Sequence, residues 1–304
     1  MRIGNNYRVI LFFIDGLGIG RREAANPLAG EGKLEPLANF QNEKKEVFAG
    51  GRLVPTDPCL GIEGRPQSAS GQTTILTGIN APKHLGNHKQ GFPNQKLRDL
   101  ISQNSVFLQL KNLELGPNVF VNAYTPQFFA QTPRWKSATT CALEAARIPF
   151  RKLPDLLGRK ALFHDFTNRE LRERGFDVPE FSPTDAAEIL AEISTRHRFT
   201  LYEHFITDKI GHDMDFEKAR LHLPELSRFI RETIKRLDLE KTTFILTSDH
   251  GNIEDLSVRN HTLNDVPTII WGRKKAEVAA GIKDLSDITP SILKLLTNGT
   301  KTNL

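Results

Sequence analysis

The stretch FILTSDHGN sets an aspartate and a histidine side by side at the end of an apolar run, where Phe244 to Leu246 lead through Thr247 and Ser248 into Asp249 and His250. Such a run reads as a buried strand. An acid and an imidazole at its mouth make a poor core and a good metal site. A metal needs more ligands than these two, so other Asp and His residues must reach the same place from distant parts of the chain.

Two other acids stand in the same context. YRVILFFI, residues 7–14, is a continuous apolar run of the kind found in a central strand covered on both faces, and it ends in Asp15-Gly16-Leu17-Gly18. Residues 199–206 are strand-like before Asp208. Ligands of open α/β sheets bind outside the carboxyl ends of the strands, so Asp15, Asp208 and Asp249 are expected to converge. Asp208-x-x-x-His212 places a carboxylate and an imidazole within one turn of each other, and His261 precedes the strand that starts at Val266. This mixture of carboxylate and imidazole suits Zn²⁺ or Mn²⁺ better than Ca²⁺. In GRPQSASGQTTILTGINAP a loop turns into a helix, whose free amides and dipole favour an anion, and both Ser68 and Ser70 stand there as candidate nucleophiles. His84 and His88, in APKHLGNHKQGFP, are placed to line the pocket mouth. Arg65, Arg134 and Lys209 are candidate anion contacts.

Strands alternating with helices argue for an α/β fold, a mostly parallel sheet with helices on both faces. Strands are expected over residues 7–14, 52–60, 118–124, 199–206, 242–246 and 266–271. Helices are expected over 26–42, 70–78, 96–102, 106–113, 184–196, 216–237 and 288–296. Residues 125–183 are irregular and form the candidate for a small cap inserted into one domain spanning 1–304. With 38% hydrophobic and 25% charged residues the composition is that of an ordinary globular protein, and the net charge of +5 is spread without a basic block. A small anionic substrate fits that balance better than nucleic acid does. The early apolar run is too short for a membrane span and no cleavage site follows it, and Cys59 and Cys141 lack CxxC spacing. A cytoplasmic protein with no membrane partner is expected, and a homo-oligomer stays open.

IDGLGIG, PQSASGQT, TDKIGHD, TSDHGN, NHTL and DITPSILKLL occur in this order. Together they resemble the alkaline phosphatase superfamily, in the metalloenzyme branch that contains cofactor-independent phosphoglycerate mutase and phosphopentomutase. The resemblance implies two divalent metal ions, Mn²⁺ before Zn²⁺. One would be held by Asp208, His212 and His261, and the other by Asp15, Asp249, His250 and the oxygen of the nucleophile. In the mutases the nucleophile opens a Ser/Thr-x-x-Gly-His pattern. Here that reads Ser68-Ala69-Ser70-Gly71-Gln72, which selects Ser68, with Gln67 and Gln72 beside it as candidate substrate contacts. The mutases insert a whole domain between the nucleophile helix and the Asp-x-x-x-His segment, and here the interval is too short for one. A phosphoserine left open to water is hydrolysed. The expectation is therefore a phosphohydrolase acting on a small phosphorylated substrate. The alternatives are a phosphomutase on a phosphosugar or phosphoglycerate, a hydrolase of phosphodiesters, phosphonates or sulfate esters, and a non-catalytic metal or anion binder.

Overall fold

The structure, a computed structural model, describes residues 7–30, 32, 34–43, 46–130 and 135–297. Its strands are β1 (Arg8–Ile14), β2 (Arg52–Thr56), β3 (Asn118–Phe120), β4 (Ala123–Tyr124), β5 (Arg151–Lys152), β6 (Phe199–His204), β7 (Thr242–Ser248) and β8 (Val266–Trp271). The first helices are α1 (Ser68–Thr77), α2 (Ala81–Leu85), α3 (Gln95–Asn104), α4 (Val106–Asn112), α5 (Pro126–Ala130), α6 (Ala138–Ala146), α7 (Leu153–Leu157) and α8 (Arg169–Glu173). They are followed by α9 (Pro183–Thr195), α10 (Ile206–Asp213), α11 (Phe216–Arg236), α12 (Lys275–Gly281) and α13 (Ile288–Thr297).

Six strands form one sheet in the order β2-β8-β7-β1-β6-β3, and β4 pairs with β5 apart from it. The apolar run of β1 takes the centre, with β6 on one side and β7 on the other, both parallel to it. Along β1 the side chains alternate between two cores. Ile10, Phe12 and Ile14 face a layer that includes α9 and α11, and Val9, Leu11 and Phe13 face one that includes α1, α3, α4, α6 and α13. A strand buried on both faces has no polar position to spare, which is why its sequence is continuous rather than alternating. Phe12 packs against Tyr202, Phe229 and Phe244 at centroid distances of 5.0, 5.3 and 5.7 Å. Truncating it to alanine would cost about 3–5 kcal/mol.

The register delivers the acids. Ile14 is level with His204 of β6 and with Ser248 of β7, so the chain leaves all three strands at one edge, where Asp15, α10 and Asp249 follow. β8 runs antiparallel to β7, with Leu246 opposite Ile269 and Phe244 opposite Trp271. Its beginning therefore lies where β7 ends, and the segment carrying His261 arrives at the same edge.

Three local expectations change. The helix expected over 26–42 does not form. Gly30, Gly32 and Pro36 interrupt it, leaving a single 3₁₀ turn at Pro27–Ala29, although Leu28, Leu34, Leu37 and Phe40 are all buried by turns. The strand expected over 118–124 divides into β3 and β4, because the chain leaves β6 and passes to Leu162, whose carbonyl receives the amide of Ala123 at 2.7 Å. The strand expected over 199–206 ends at His204, and helix α10 begins at Ile206, placing Asp208 and His212 one turn apart as their spacing predicts. Pro224, by contrast, sits inside α11 without ending it, as Leu223, Leu226, Phe229 and Ile230 bury one face of that helix. Residues 125–183 include α6, whose Ala142 and Leu143 belong to one core, while Leu156, Leu162 and Phe166 belong to the other. Among the described residues no large separate domain interrupts the chain.

Candidate metal centre

Two groups of side chains at the carboxyl edge have metal-ligand geometry: Asp208 with His212 and His261, and Asp15 with Asp208 and His250. In the first, His212 Nε2 lies 3.3 Å from Asp208 Oδ2, and His261 Nε2 lies 3.5 Å from Asp208 Oδ1. In the second, His250 Nε2 is 3.3 Å from Asp15 Oδ1 and 3.5 Å from Asp249 Oδ2, while its Nδ1 is 4.0 Å from Asp208 Oδ1. The rings of His250 and His261 stack with centroids 3.6 Å apart, yet the two histidines fall in different groups. Asp208 belongs to both groups, a sharing not expected from the sequence. Its position on the first turn of α10 is fixed by Asn252, whose Nδ2 donates to Asp208 Oδ1 at 2.7 Å and to its carbonyl at 3.2 Å.

The hydrogen bonds around these residues test whether cations fit. His261 Nδ1 donates to the carbonyl of Pro66 at 2.9 Å and His212 Nδ1 donates to that of Arg259 at 2.8 Å. A carbonyl only accepts, so each Nδ1 carries a proton and the two Nε2 atoms face each other 3.1 Å apart; Asp208 raises the His212 pKa, while burial and then His250 lower that of His261 to about 4. Two facing lone pairs repel unless a Lewis acid or a proton lies between them, and backbone carbonyls are common orienting partners of metal-binding histidines. The second group asks for positive charge as well. Asp15 Oδ1 and Asp249 Oδ1 are buried without a hydrogen-bond partner. Burial, and then Asp15 beside it, push the Asp249 carboxyl well above the usual range, and burial likewise raises that of Asp15. Burial works against a charge on His250, yet Asp249, Asp15 and Asp208 together carry its pKa up to about 10. Burial also opposes ionisation of Asp208, but His212, His250 and Asn252 hold it down to about 2. Packed carboxylates that attract a proton this strongly attract a divalent cation too.

Ser68 is the first residue of α1, half-buried, with Oγ 3.0 Å from His250 Nε2. Ser70 is fully buried and spoken for, since its hydroxyl donates to the carbonyl of Gln67 and accepts the amide of Lys89 at 3.0 Å. The Ser70 amide is taken by the Lys89 carbonyl at 3.2 Å. The first turn of α1 thus directs the Ser68 hydroxyl, and not that of Ser70, at the cluster of acids and histidines. Close approach is possible because position 71 is glycine: a Cβ there would stand 2.9 Å from that of Asp249.

The remaining expected contacts scatter. Gln72 Nε2 sits 3.3 Å from Asp15 Oδ2 and 3.4 Å from Asp249 Oδ2, so its amide caps carboxylates rather than facing outward. Gln67 is the N-cap residue of α1, with a buried Oε1 that has no partner. Arg65 donates to the carbonyl of His261 at 2.7 Å. His88 is half-buried against the carbonyl of Ile62, and His84 is exposed on α2. Lys209 lines a separate cavity of about 390 Å³ between α8, α10 and α11. Arg134 lies outside the described residues.

Sequence reading missed Glu203. It is 3% exposed on β6 and accepts a hydrogen bond from Thr139 of α6. Burial, reinforced by Asp15, raises its pKa from 4.5 to about 8. An acid raised in the folded state stabilises the fold fully below its unfolded pKa, and that contribution is lost as pH climbs to the folded value. Metal-free protein is therefore expected to lose stability between pH 4.5 and 8 from this group. Each pKa unit is worth about 1.4 kcal/mol, so the loss amounts to a few kcal/mol. Glu203→Gln should flatten that slope in urea melts taken across the range, and an unchanged slope would contradict this account. The signal in the sequence was an acid inside the strand FTLYEH, next to Tyr202 and two residues after Leu201.

A family model for the metalloenzyme superfamily matches residues 176–298, which carry Asp208, His212, Asp249, His250 and His261. Among curated proteins, the 2,3-bisphosphoglycerate-independent phosphoglycerate mutase of Pseudomonas putida is 28% identical over 127 residues, 39% of this chain. The chain spans about a quarter of that relative's length, the matched part being 25% of it. Among solved structures, the PH0037 protein from Pyrococcus horikoshii aligns over 97% of this chain and 98% of its own, with a TM-score of 0.58 at 16% identity. Alkaline phosphatase from the Antarctic bacterium TAB5 aligns over 98% of this chain and 100% of its own, with a TM-score of 0.52 at 13% identity. With strand ends that bring three acids and three histidines to one edge, the chain matches the metalloenzyme superfamily over residues 176–298, is similar there to cofactor-independent phosphoglycerate mutases, and shares its fold with an alkaline phosphatase.

Proposed function

We propose that this chain is a metal-dependent phosphoryl-transfer enzyme working through Ser68. Its two divalent cations would be held by Asp208, His212 and His261 and by Asp15, Asp249 and His250, with Asp208 reaching both. The observation that carries this reading is the pair of Nε2 atoms facing each other 3.1 Å apart beside buried, unpartnered carboxylate oxygens, with the Ser68 hydroxyl 3.0 Å from His250. Mn²⁺ is favoured by kinship to the mutases, and Zn²⁺ accepts the same donors. When bound, such cations lower the pKa of a nearby hydroxyl and neutralise charge on phosphoryl oxygens.

The chain's own residues do the rest. Ser68 Oγ is aimed to displace an alcohol from phosphorus. The start of α1 directs its dipole at the incoming phosphoryl oxygens. The Gln72 amide screens Asp15 and Asp249 from that anion.

Two fates of phosphoserine follow. The short interval between Ser68 and Asp208 favours water, but the relatives found by sequence are named as mutases, and this favours return of the phosphoryl group to a phosphosugar or phosphoglycerate. We place the mutase first. A panel of phosphomonoesters, phosphodiesters, phosphonates and sulfate esters, assayed with the Mn²⁺ and Zn²⁺ forms, should show an isomerised product without phosphate release. Phosphate appearing in step with substrate loss would make the protein a hydrolase, and metal binding with no turnover of any ester would end the phosphoryl-transfer reading.

A further inference from the structure

Three loops carry most of the candidate ligands: the turn after β1 with Asp15, the turn after β7 with Asp249 and His250, and the segment before β8 with His261. One buried side chain outside both ligand groups joins all three. Glu254 is 1% exposed. Its Oε2 accepts the amide of Gly18 at 2.9 Å and that of Asn252 at 2.8 Å. Its Oε1 accepts the hydroxyl of Thr262 and Asn264 Nδ2 at 3.0 Å. Four donors thus converge on one carboxylate, and Asn252, one of the four, passes the constraint on to Asp208. The fit leaves no slack, since a Cβ added at Gly18 or Gly251 would lie 2.1 Å from Glu254 Oε1.

We propose that Glu254 is a positioning residue that locks the three ligand loops into one cage, so that both cation sites depend on it although it holds neither ion. The inference rests on the two-cation reading above. Both partners of Oε2 are backbone amides, which only donate. Glutamine has the same shape, but its NH₂ group would face those two amide donors in one orientation and the Asn264 Nδ2 donor in the other. Bonds to a charged acceptor are roughly twice as strong as neutral ones, so their loss would be felt in all three loops.

The test compares Glu254→Gln with His212→Ala, a change confined to one candidate ligand, by titrating metal-free protein with Co²⁺ and following its absorption spectrum. Outer-shell partners usually matter by about 10–100-fold in metal affinity, so Glu254→Gln should weaken both ions to that extent and alter the Co²⁺ spectrum, whereas His212→Ala should weaken one. Gly18→Ala supplies a second probe should Glu254→Gln fail to fold. It presses on Glu254 from the Asp15 loop and should weaken the ion at His261 as well. Wild-type affinity and spectrum in both variants, or weakening confined to one ion, would overturn the proposal. So would a lower urea midpoint of the metal-free protein with unchanged metal binding, which would make Glu254 a stability residue only. Wild-type protein that binds no cation would defeat the two-cation reading and this inference together. Two bound cations without phosphoryl transfer would defeat only the proposed activity.

Discussion

Ser68→Ala is expected to lose phosphoryl transfer by on the order of 10³-fold or more, because the neighbouring Ser70 hydroxyl is engaged at both ends and cannot replace its oxygen. The fold should be indifferent to the change. Gln67 is the N-cap of α1, so Ser68 occupies the first helical position, where alanine is at least as good a helix former. Metal content should stay near that of the wild type, since Asp15, Asp249, Asp208 and the histidines remain. Two measurements check this: turnover of the best substrate from the panel, and mass spectrometry for a phosphorylated peptide containing residue 68. Turnover within tenfold of the wild type would move the nucleophile elsewhere. Ser70 is a poor substitute, as its hydroxyl is fully buried and engaged at both ends.

The second large effect belongs to Asp208. Its two oxygens face His212 on one side, and His261 and the His250 ring on the other, so one carboxylate serves both groups. Asp208→Asn keeps the volume and removes the charge. Its amide oxygen can still accept from Asn252, which turns the NH₂ toward His212 Nε2. Affinity should fall by roughly 100-fold or more at both ions, a first-shell loss at or above the top of the range seen for outer-shell partners. Asp249→Asn, in contrast, should weaken only the ion near Ser68. Metal analysis after dialysis at graded free Mn²⁺ and Zn²⁺ separates these cases. One ion retained at wild-type affinity in Asp208→Asn would return Asp208 to the His212 and His261 group alone.

Much of the α/β framework was legible because its strands are pure. The runs ending at Ile14 and Ser248 are each followed directly by an acid in a turn, and the run ending at His204 leads into a helix whose first turn carries one. Convergence followed from a general rule about strand ends, without knowledge of distances. What was not legible depended on context. Leu28, Leu34, Leu37 and Phe40 have apolar spacing that a helix would bury, yet glycines and a proline divide the segment and turns bury the same residues. Apolar periodicity reports burial before it reports conformation. The lock of Asn252 on Asp208 and the burial of Glu203 come from side chains meeting across 44 and 64 residues of chain, and the reach of Asp208 to Asp15 spans 193. No local pattern encodes such meetings. Gln72 was legible as a departure from a pattern, but its place over Asp15 and Asp249 required the geometry.

The position of β1 also governs how the chain can be made. It is the central strand of the sheet and nearly the first segment in this sequence, while the strands on either side of it, β6 and β7, come from the final third. A ribosome adding about 5–20 residues per second leaves the run VILFFI without its sheet partners for roughly 10–50 s, until residue 248 has been synthesised. During that time this apolar stretch depends on helices such as α1, α3 and α4 for cover. β1 therefore gains its second neighbour only with TTFILTS, the strand that leads into Asp249 and His250, and the ligand set is completed only when His261 and β8 follow it.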